Sequence, residues 1–388
     1  MKILFISHDA NRAGAQIFLL NIMQYFQKKQ MPMHLLLLGD GMLEKDFEAI
    51  CPVSKYPQEK ANANGGFQDR LLKKLGLKDN NHYQEAKKAL KTKLLSENFD
   101  CIYANTIATA LVMPELLSYL KIPLISHIHE LEFSIQMYSS AENRDFLFKN
   151  STRLIACSKA VGENLIEQHS VPSGKIEVIH SFVNNKDVLN RAALSSRTDI
   201  QIKYGISEKS FLIGGCGNAE WRKGLDIFAL VAKNVLGILE ENIHFAWVGV
   251  KKEGEYYEQV IFDATKMGLA NKITFIEPTP EAIELINCFD VFTVTSREDP
   301  FPLVMLEAAL LRVPIFGFEK TGGCSEFVED DAGHIVPYLD IPAMAQAIID
   351  YKKNRQFKWG ERAREKVLTQ YSFENSILKI ENLLETLS

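Results

Sequence analysis

The feature that most constrains this chain is an alternation kept up from one end to the other. Short apolar runs are followed by longer amphipathic stretches. The first series of runs is Ile3–Ile6, His34–Leu38, Cys101–Tyr103, Leu124–Ser126, Leu154–Cys157 and Ile176–Ile179. The second is Phe211–Cys216, His244–Val248, Ile273–Ile276, Val291–Thr295, Val313–Phe316 and His334–Val336. Between them, Gln16–Lys28, Ile107–Leu120 and Leu225–Leu236 carry helical periodicity. Strand alternating with helix predicts an α/β chain of parallel sheets with helices on both faces. Twelve runs are too many for one comfortable doubly wound sheet, so two Rossmann-like domains in tandem, facing a cleft, are expected. A length of 388 residues suits this reading at roughly 100–200 residues per domain.

The polar stretch Asn184–Lys203 marks the expected break. Residues 1–190 then form a first Rossmann-like domain and residues 191–370 a second. Phe373–Leu387 reads as an amphipathic helix, so 371–388 is expected to pack back on the first domain. Within the first domain, residues 55–95 interrupt the alternation. Between Glu59 and Lys93 there are nine Lys or Arg against four Asp or Glu. This segment reads either as a solvated helical insertion or as a basic face that docks on an anionic membrane or acceptor.

Composition removes several classes. Apolar residues at 46% and charged residues at 24% exclude a disordered chain. A net charge of −5 leaves no whole-protein basic field for nucleic acid. The opening run is too short for a signal-peptide core, and no run approaches the ~20 residues of a membrane span. Six scattered cysteines without a CxxC pair point to a reducing cytoplasm and no structural zinc. Location is expected to be cytoplasmic, with the inner membrane face as a peripheral option.

The stretch Ser296-Arg297-Glu298-Asp299-Pro300-Phe301-Pro302-Leu303-Val304-Met305-Leu306-Glu307 follows a strand, where a parallel sheet opens its ligand crevice. Pro302 suits the first helical position, and the next amides, Leu303 and Val304, form an anion site with the helix dipole. Asp299 and Glu307 can flank one bound anion, such as a diphosphate between two hydroxyl-rich groups. The alternative is an Asp cap and a solvated Glu. After Phe211–Cys216 comes a glycine-rich loop that fails the dinucleotide fingerprint, because Glu220 stands where the third glycine is needed. What remains is the pair Arg222-Lys223, suited to a phosphate or simply exposed. Gly14 lies at the turn after the first strand, where a ligand can approach the backbone or the chain merely turns. His127 and His129 share one face by period 2, as crevice residues, structural residues or metal ligands. Thr321-Gly322-Gly323-Cys324-Ser325-Glu326 is a glycine turn at the same crevice end.

Together these motifs resemble glycosyltransferase family 4, the retaining, nucleotide-sugar-dependent transferases of GT-B fold. The resemblance spans nearly the whole chain and is strongest from Phe211 to Ile349. It implies that Glu307 holds the donor ribose and Asp299, one methylene shorter than the family's Glu, the sugar hydroxyls. Phe301, Pro302, Leu303 and Val304 look like the family's phosphate-binding helix start, and Lys223-Gly224 like its phosphate lysine. Asn218 stands where the family has Arg, a charge Arg222 could replace. The family's glycine pair is reduced to Ala13-Gly14, and His129-Glu130 matches its His-acid pair near the donor sugar. The implied catalytic set is His129, Lys223, Asp299 and Glu307, with no cofactor and no metal. The implied reaction takes a UDP- or GDP-sugar to a saccharide or lipid-linked acceptor in bacterial-type polysaccharide or glycoconjugate synthesis, by front-face substitution. The alternatives are a GT-B-shaped sugar-nucleotide epimerase or hydrolase, and an inactive donor-binding subunit.

Overall fold

The computed structural model describes residues 1–58, 81–239, 242–355 and 358–387. Two parallel sheets organise the chain. The first contains β1 (Ile3–Ser7), β2 (Met33–Leu37), β3 (Val53–Lys55), β4 (Cys101–Asn105), β5 (Leu124–Ile128), β6 (Arg153–Ala156) and β7 (Ile176–Val178), in spatial order β3-β2-β1-β4-β5-β6-β7. The second contains β8 (Phe211–Cys216), β9 (Ile243–Val248), β10 (Ile273–Ile276), β11 (Val291–Val294), β12 (Ile315–Phe318) and β13 (Gly333–Val336), in order β10-β9-β8-β11-β12-β13. β1, β2, β4 and β5 are buried at every residue, as strands covered by helices on both faces must be. In each sheet the order reverses once, beside β1 and β4 and beside β8 and β11. The crevice beyond the carboxyl ends at that point is where such sheets take ligands.

The structure departs from the sequence-based expectation in four places. A thirteenth strand, β3, lies at a sheet edge just before the stretch assigned to the insertion, sharing only Lys55 with it; at three residues it carries too little pattern to be read. The run expected at Val313–Phe316 pairs instead as Ile315–Phe318. Pro314 has no N–H to give the ladder and contributes only its carbonyl, to the Phe292 amide at 3.0 Å. The pattern Ile107–Leu120 splits into a 3-10 turn, Ile107–Val112, and a helix, Met113–Tyr119, because Pro114 fits only a helix's first turn. The polar stretch at 184–203 forms two helices, Asn185–Ala192 and Arg197–Lys203. The side chains of Asn184 and Ser196 cap them, and Val188 and Ile200 anchor them.

Of the basic segment 59–93, residues 59–80 lie outside the described residues. The rest belongs to the helix Asn81–Ser96. Several of its cations are engaged within the molecule. Lys87 pairs with Glu115, Lys93 donates to Ser54 Oγ at 2.9 Å, and Lys91 lies 4.9 Å from the Tyr119 ring centroid.

The last helix, Phe373–Glu385, crosses back to the first sheet. Its buried Ile377, Ile380 and Leu384 join the cluster of Phe18, Phe26 and Phe182. Tyr25 Oη donates to Glu381 at 2.9 Å, and Lys29 Nζ at 2.5 Å. A second apolar cluster runs without a break from Leu36 and Ile102 through Leu131 and Phe301 to Phe292 and Met305, so the two sheets share packed residues. Among the described residues no helix is long and apolar enough to cross a membrane.

Candidate active site

The second sheet supplies the charged half of the crevice. Gly214 and Gly215 are strand glycines serving packing: a Cβ would fall 2.0 Å from the Phe289 ring and 2.5 Å from Trp247 respectively. Beyond β8 the chain forms a 3-10 turn, Trp221–Lys223, and enters the helix Leu225–Ile238 through Gly224. Gly224 sits at φ +70, and a Cβ there would lie 2.0 Å from the Thr295 carbonyl. Only glycine fits, and it aims Lys223 at β11. Lys223 Nζ donates to Asp299 Oδ2 at 2.6 Å, and Ser296 Oγ to the same oxygen at 3.3 Å. Arg222 Nη1 stands 3.9 Å from Asp299 Oδ1 and donates to the Glu298 carbonyl at 3.0 Å, while Nη2 reaches Glu220 at 3.0 Å. Lys223, Arg222 and Asp299 are thus brought together as expected.

The helix Leu303–Leu310 begins one residue later than expected. Pro302 is its cap residue, with extended ψ of 118°, and supplies no side-chain acceptor. The Leu303 and Val304 amides therefore open the helix with no cap oxygen on them, as an anion site requires. Glu307 lies a turn further on. Burial pushes its carboxyl up to about 7. Phe301 is placed differently from a ligand contact: its ring is 5% exposed and packs on Tyr371 at 5.4 Å and His180 at 5.1 Å. Its side chain seats the loop.

The first sheet supplies the opposite wall. A Cβ on Gly14, the first residue of the helix Gly14–Lys28, would meet Leu303 Cδ1 at 3.6 Å, so the two helix starts face each other. His127 and His129 stack at 4.0 Å, the shared face expected from their spacing. One ring nitrogen of each has a protein partner, His129 Nε2 with Asn105 Oδ1 at 2.9 Å and His127 Nδ1 with Tyr103 Oη at 2.6 Å, while His127 Nε2 is buried without one. Burial holds His129 neutral, its pKa near 3.

His8 and Thr106, not anticipated as site members, complete this wall together with Glu130, the acid of the expected His-acid pair. His8 Nδ1 bonds Thr106 Oγ1 at 2.8 Å and its Nε2 lies 3.1 Å from Gln16 Nε2. Thr106 holds φ +80, a costly angle for a β-branched residue, fixed by its amide donating to the His127 carbonyl at 2.9 Å. Glu130 Oε2 accepts the amides of Ile107 at 3.1 Å and His129 at 2.8 Å, and burial raises its carboxyl to about 7. Glu132 is spent elsewhere, on His169 at 2.8 Å and Gln136 at 2.6 Å. The legible signal was polar residues at strand ends: Ser7-His8 closes β1 and Asn105-Thr106 closes β4, the two strands at the switch point.

Comparison with known proteins bears on the family and the fold. A family model described as Glycosyltransferase Family 4 matches residues 13–186, and one described as Glycosyl transferases group 1 matches 196–366. N-acetyl-alpha-D-glucosaminyl L-malate synthase of Bacillus anthracis is 25% identical over 230 residues, 58% of each chain. Alpha-galactosylglucosyldiacylglycerol synthase of Streptococcus pneumoniae is 26% identical over 214 residues, 49% of this chain and 53% of the relative. The matches thus span little more than half of these two relatives' lengths. The crystal structure of Anabaena HepE in complex with UDP superposes over 100% of both chains with a TM-score of 0.81 at 21% identity. Two matched family models and a shared two-sheet fold place this chain in glycosyltransferase family 4, among the transferases of GT-B fold.

Proposed function

We propose that the chain transfers a sugar from a UDP- or GDP-sugar to a saccharide or lipid-linked acceptor, with retention and without a metal, from the cytoplasmic side. The observation that carries this reading is the contact of Lys223 and Arg222 with Asp299 at the switch point of the second sheet, beside the helix Leu303–Leu310, which opens with no side-chain cap and carries Glu307. Cations and a helix start suit a diphosphate, and two carboxylates suit the hydroxyls on either side of it. Among the structural neighbours HepE is seen with UDP and with UDP-glucose, which supports a donor of that class.

In this reading the donor's phosphate displaces Asp299 from Lys223 and leaves Asp299 free to accept from sugar hydroxyls. As the bond from the anomeric carbon to the phosphate oxygen breaks, its electron pair stays on that oxygen. Lys223, Arg222 and the Leu303 and Val304 amides stabilise the growing charge. The acceptor oxygen adds to the same face of the anomeric carbon, and its proton passes to the departing phosphate. Loss of one such stabilising donor costs about 2.7–4 kcal/mol in comparable sites, so Lys223→Ala should lower turnover roughly 10²–10³-fold. The direct test is thermal unfolding with UDP, GDP, ADP and TDP. A ligand at about 100 times its Kd stabilises by about 2.7 kcal/mol. We expect a clear shift with one of the four, unchanged by EDTA and abolished in Lys223→Ala and Glu307→Ala. No shift with any of them overturns the donor assignment.

A further inference from the structure

Asp299 and its neighbour in sequence face different partners. Asp299 meets Lys223 within the second sheet, but Glu298 reaches across the cleft. Its carboxylate accepts the amide of Phe133 at 2.9 Å, the amide of Ser134 at 3.2 Å and the hydroxyl of Ser134 at 3.1 Å. These donors belong to the first turn of Glu132–Tyr138, the helix that leaves the first-sheet wall just beyond His129 and Glu130. Beside this polar contact lies an apolar one, again between the two halves. The rings of Phe133 and Trp221 lie 5.0 Å apart, and the Arg297 guanidinium sits 4.9 Å from the Trp221 ring centroid.

The second-sheet side of this contact is rigidly joined to the phosphate-seeking cations. Arg222 Nη1 donates to the Glu298 carbonyl at 3.0 Å, and the Arg297 amide donates to the Arg222 carbonyl at 2.8 Å. Arg297 also makes two bonds to Asp226, at 2.9 and 2.6 Å. The loop after β11, which carries Asp299 and is bonded to Arg222 and Lys223, is therefore also the loop that grips the first-sheet helix.

We infer that Glu298 is a positioning residue, a clamp that ties the occupied donor loop to the Glu132–Tyr138 helix and so holds the first-sheet wall over the donor. The inference rests on the transferase reading for its kinetic consequence, although the clamp itself is a matter of structure. A carboxylate accepting three donors resists opening, and the Phe133–Trp221 contact adds a second, apolar tie between the same two segments. Glu298 touches neither donor nor acceptor in this account. Its effect falls on closure, and through closure on how often a bound donor meets an acceptor before it meets water.

The experiment measures distance and binding separately. Two spin labels, on Lys233 of the second sheet's outer helix and on Lys28 of the first helix, report the separation of the halves with and without UDP. Wild-type protein should show a narrow closed distribution with UDP. Glu298→Ala should broaden it towards longer distances while the UDP-induced melting shift is kept. Glu298→Gln, whose single carbonyl oxygen can accept from the amides, should fall between. Trp221→Ala gives an independent variant that loosens the same contact from its apolar side. In turnover assays Glu298→Ala should lower kcat roughly tenfold, with a rise in donor hydrolysis relative to transfer, the size of effect expected from losing one cap-like set of bonds. A distribution identical to wild type in Glu298→Ala overturns the clamp, as does loss of UDP binding, which would make Glu298 part of the donor site. If the wild-type protein itself shows no nucleotide shift, the donor reading fails while the distance measurement still decides the clamp.

Discussion

At the scale of single residues, the candidate site is a set of groups held in states that a donor would change. Asp299 and Lys223 neutralise one another at 2.6 Å, an arrangement that a diphosphate on one side and a sugar on the other would separate. Glu307 has its carboxyl raised by burial from 4.5 to about 7. The sign follows from linkage. A carboxyl raised in the folded state favours the fold while protonated, so its contribution is full below about 4.5 and is lost as pH rises through about 7. Binding runs the other way, because a ribose hydroxyl donates best to an ionised carboxylate. UDP-induced stabilisation should therefore grow from pH 6 to pH 8 in the wild-type protein and grow less in Glu307→Gln. Titration of the terminal phosphate is common to both proteins, so the difference isolates Glu307. Parallel pH profiles for the two would show that Glu307 does not accept from the nucleotide.

At the scale of elements, the positions of helices and loops are set by a few backbone requirements. Gly224 links the 3-10 turn of Lys223 to the helix Leu225–Ile238 at φ +70, with no room for a Cβ against the Thr295 carbonyl. Gly237, near the other end of the same helix, has open space where its Cβ would be. The two substitutions should have opposite signs. Gly224→Ala should destabilise the protein and remove the UDP shift, because Lys223 loses its aim. Gly237→Ala should stabilise by about 0.5 kcal/mol through helix propensity and leave the shift intact. Denaturant midpoints and nucleotide melting shifts on both variants check this, and equal signs would refute it. The same elements show what was legible beforehand. The central strands announced themselves because strands covered on both faces are continuous apolar runs, and the edge strands β7, β10 and β13 because each keeps two or more apolar residues. The edge strand β3, Val53-Ser54-Lys55, has one apolar residue in three and did not. Pro302 and Pro314 each displaced an element boundary by one or two residues, since a pattern of side chains does not show where the backbone hydrogen bonds begin. Lys223, Asp299 and Glu307 were readable because their spacing follows from a strand, a loop and a helix in sequence. His8, Thr106 and Glu298 were not, because their partners lie 98, 98 and 164 to 165 positions away.

At the scale of the whole molecule, the halves are joined twice by the chain, and the second joint is the more instructive. The main connection leaves β7 and enters the helices Asn185–Ala192 and Arg197–Lys203 before β8. The return path brings Phe373–Glu385 back onto the first sheet, where Ser376 Oγ donates to the His180 carbonyl at 2.8 Å and Ile380 is fully buried. Tyr371, just before this helix, packs on Phe301 of the second-sheet loop at 5.4 Å. One segment therefore leans on the donor loop at one end and on the first-sheet core at the other. With both ends seated, this segment ties the halves a second time, and a clamp such as Glu298 has a fixed partner to close on. Ile380→Ala tests whether the seat matters to the first half alone. Truncating a fully buried Ile costs about 2–5 kcal/mol in comparable cores. Hydrogen exchange should show that loss in the Phe373–Glu385 helix and in Gly14–Lys28, which shares its cluster, with UDP affinity changed by less than about twofold, the scale of under 0.5 kcal/mol. Loss of protection spread equally over β8 and β11 would mean that the returning helix supports both halves as one cooperative unit.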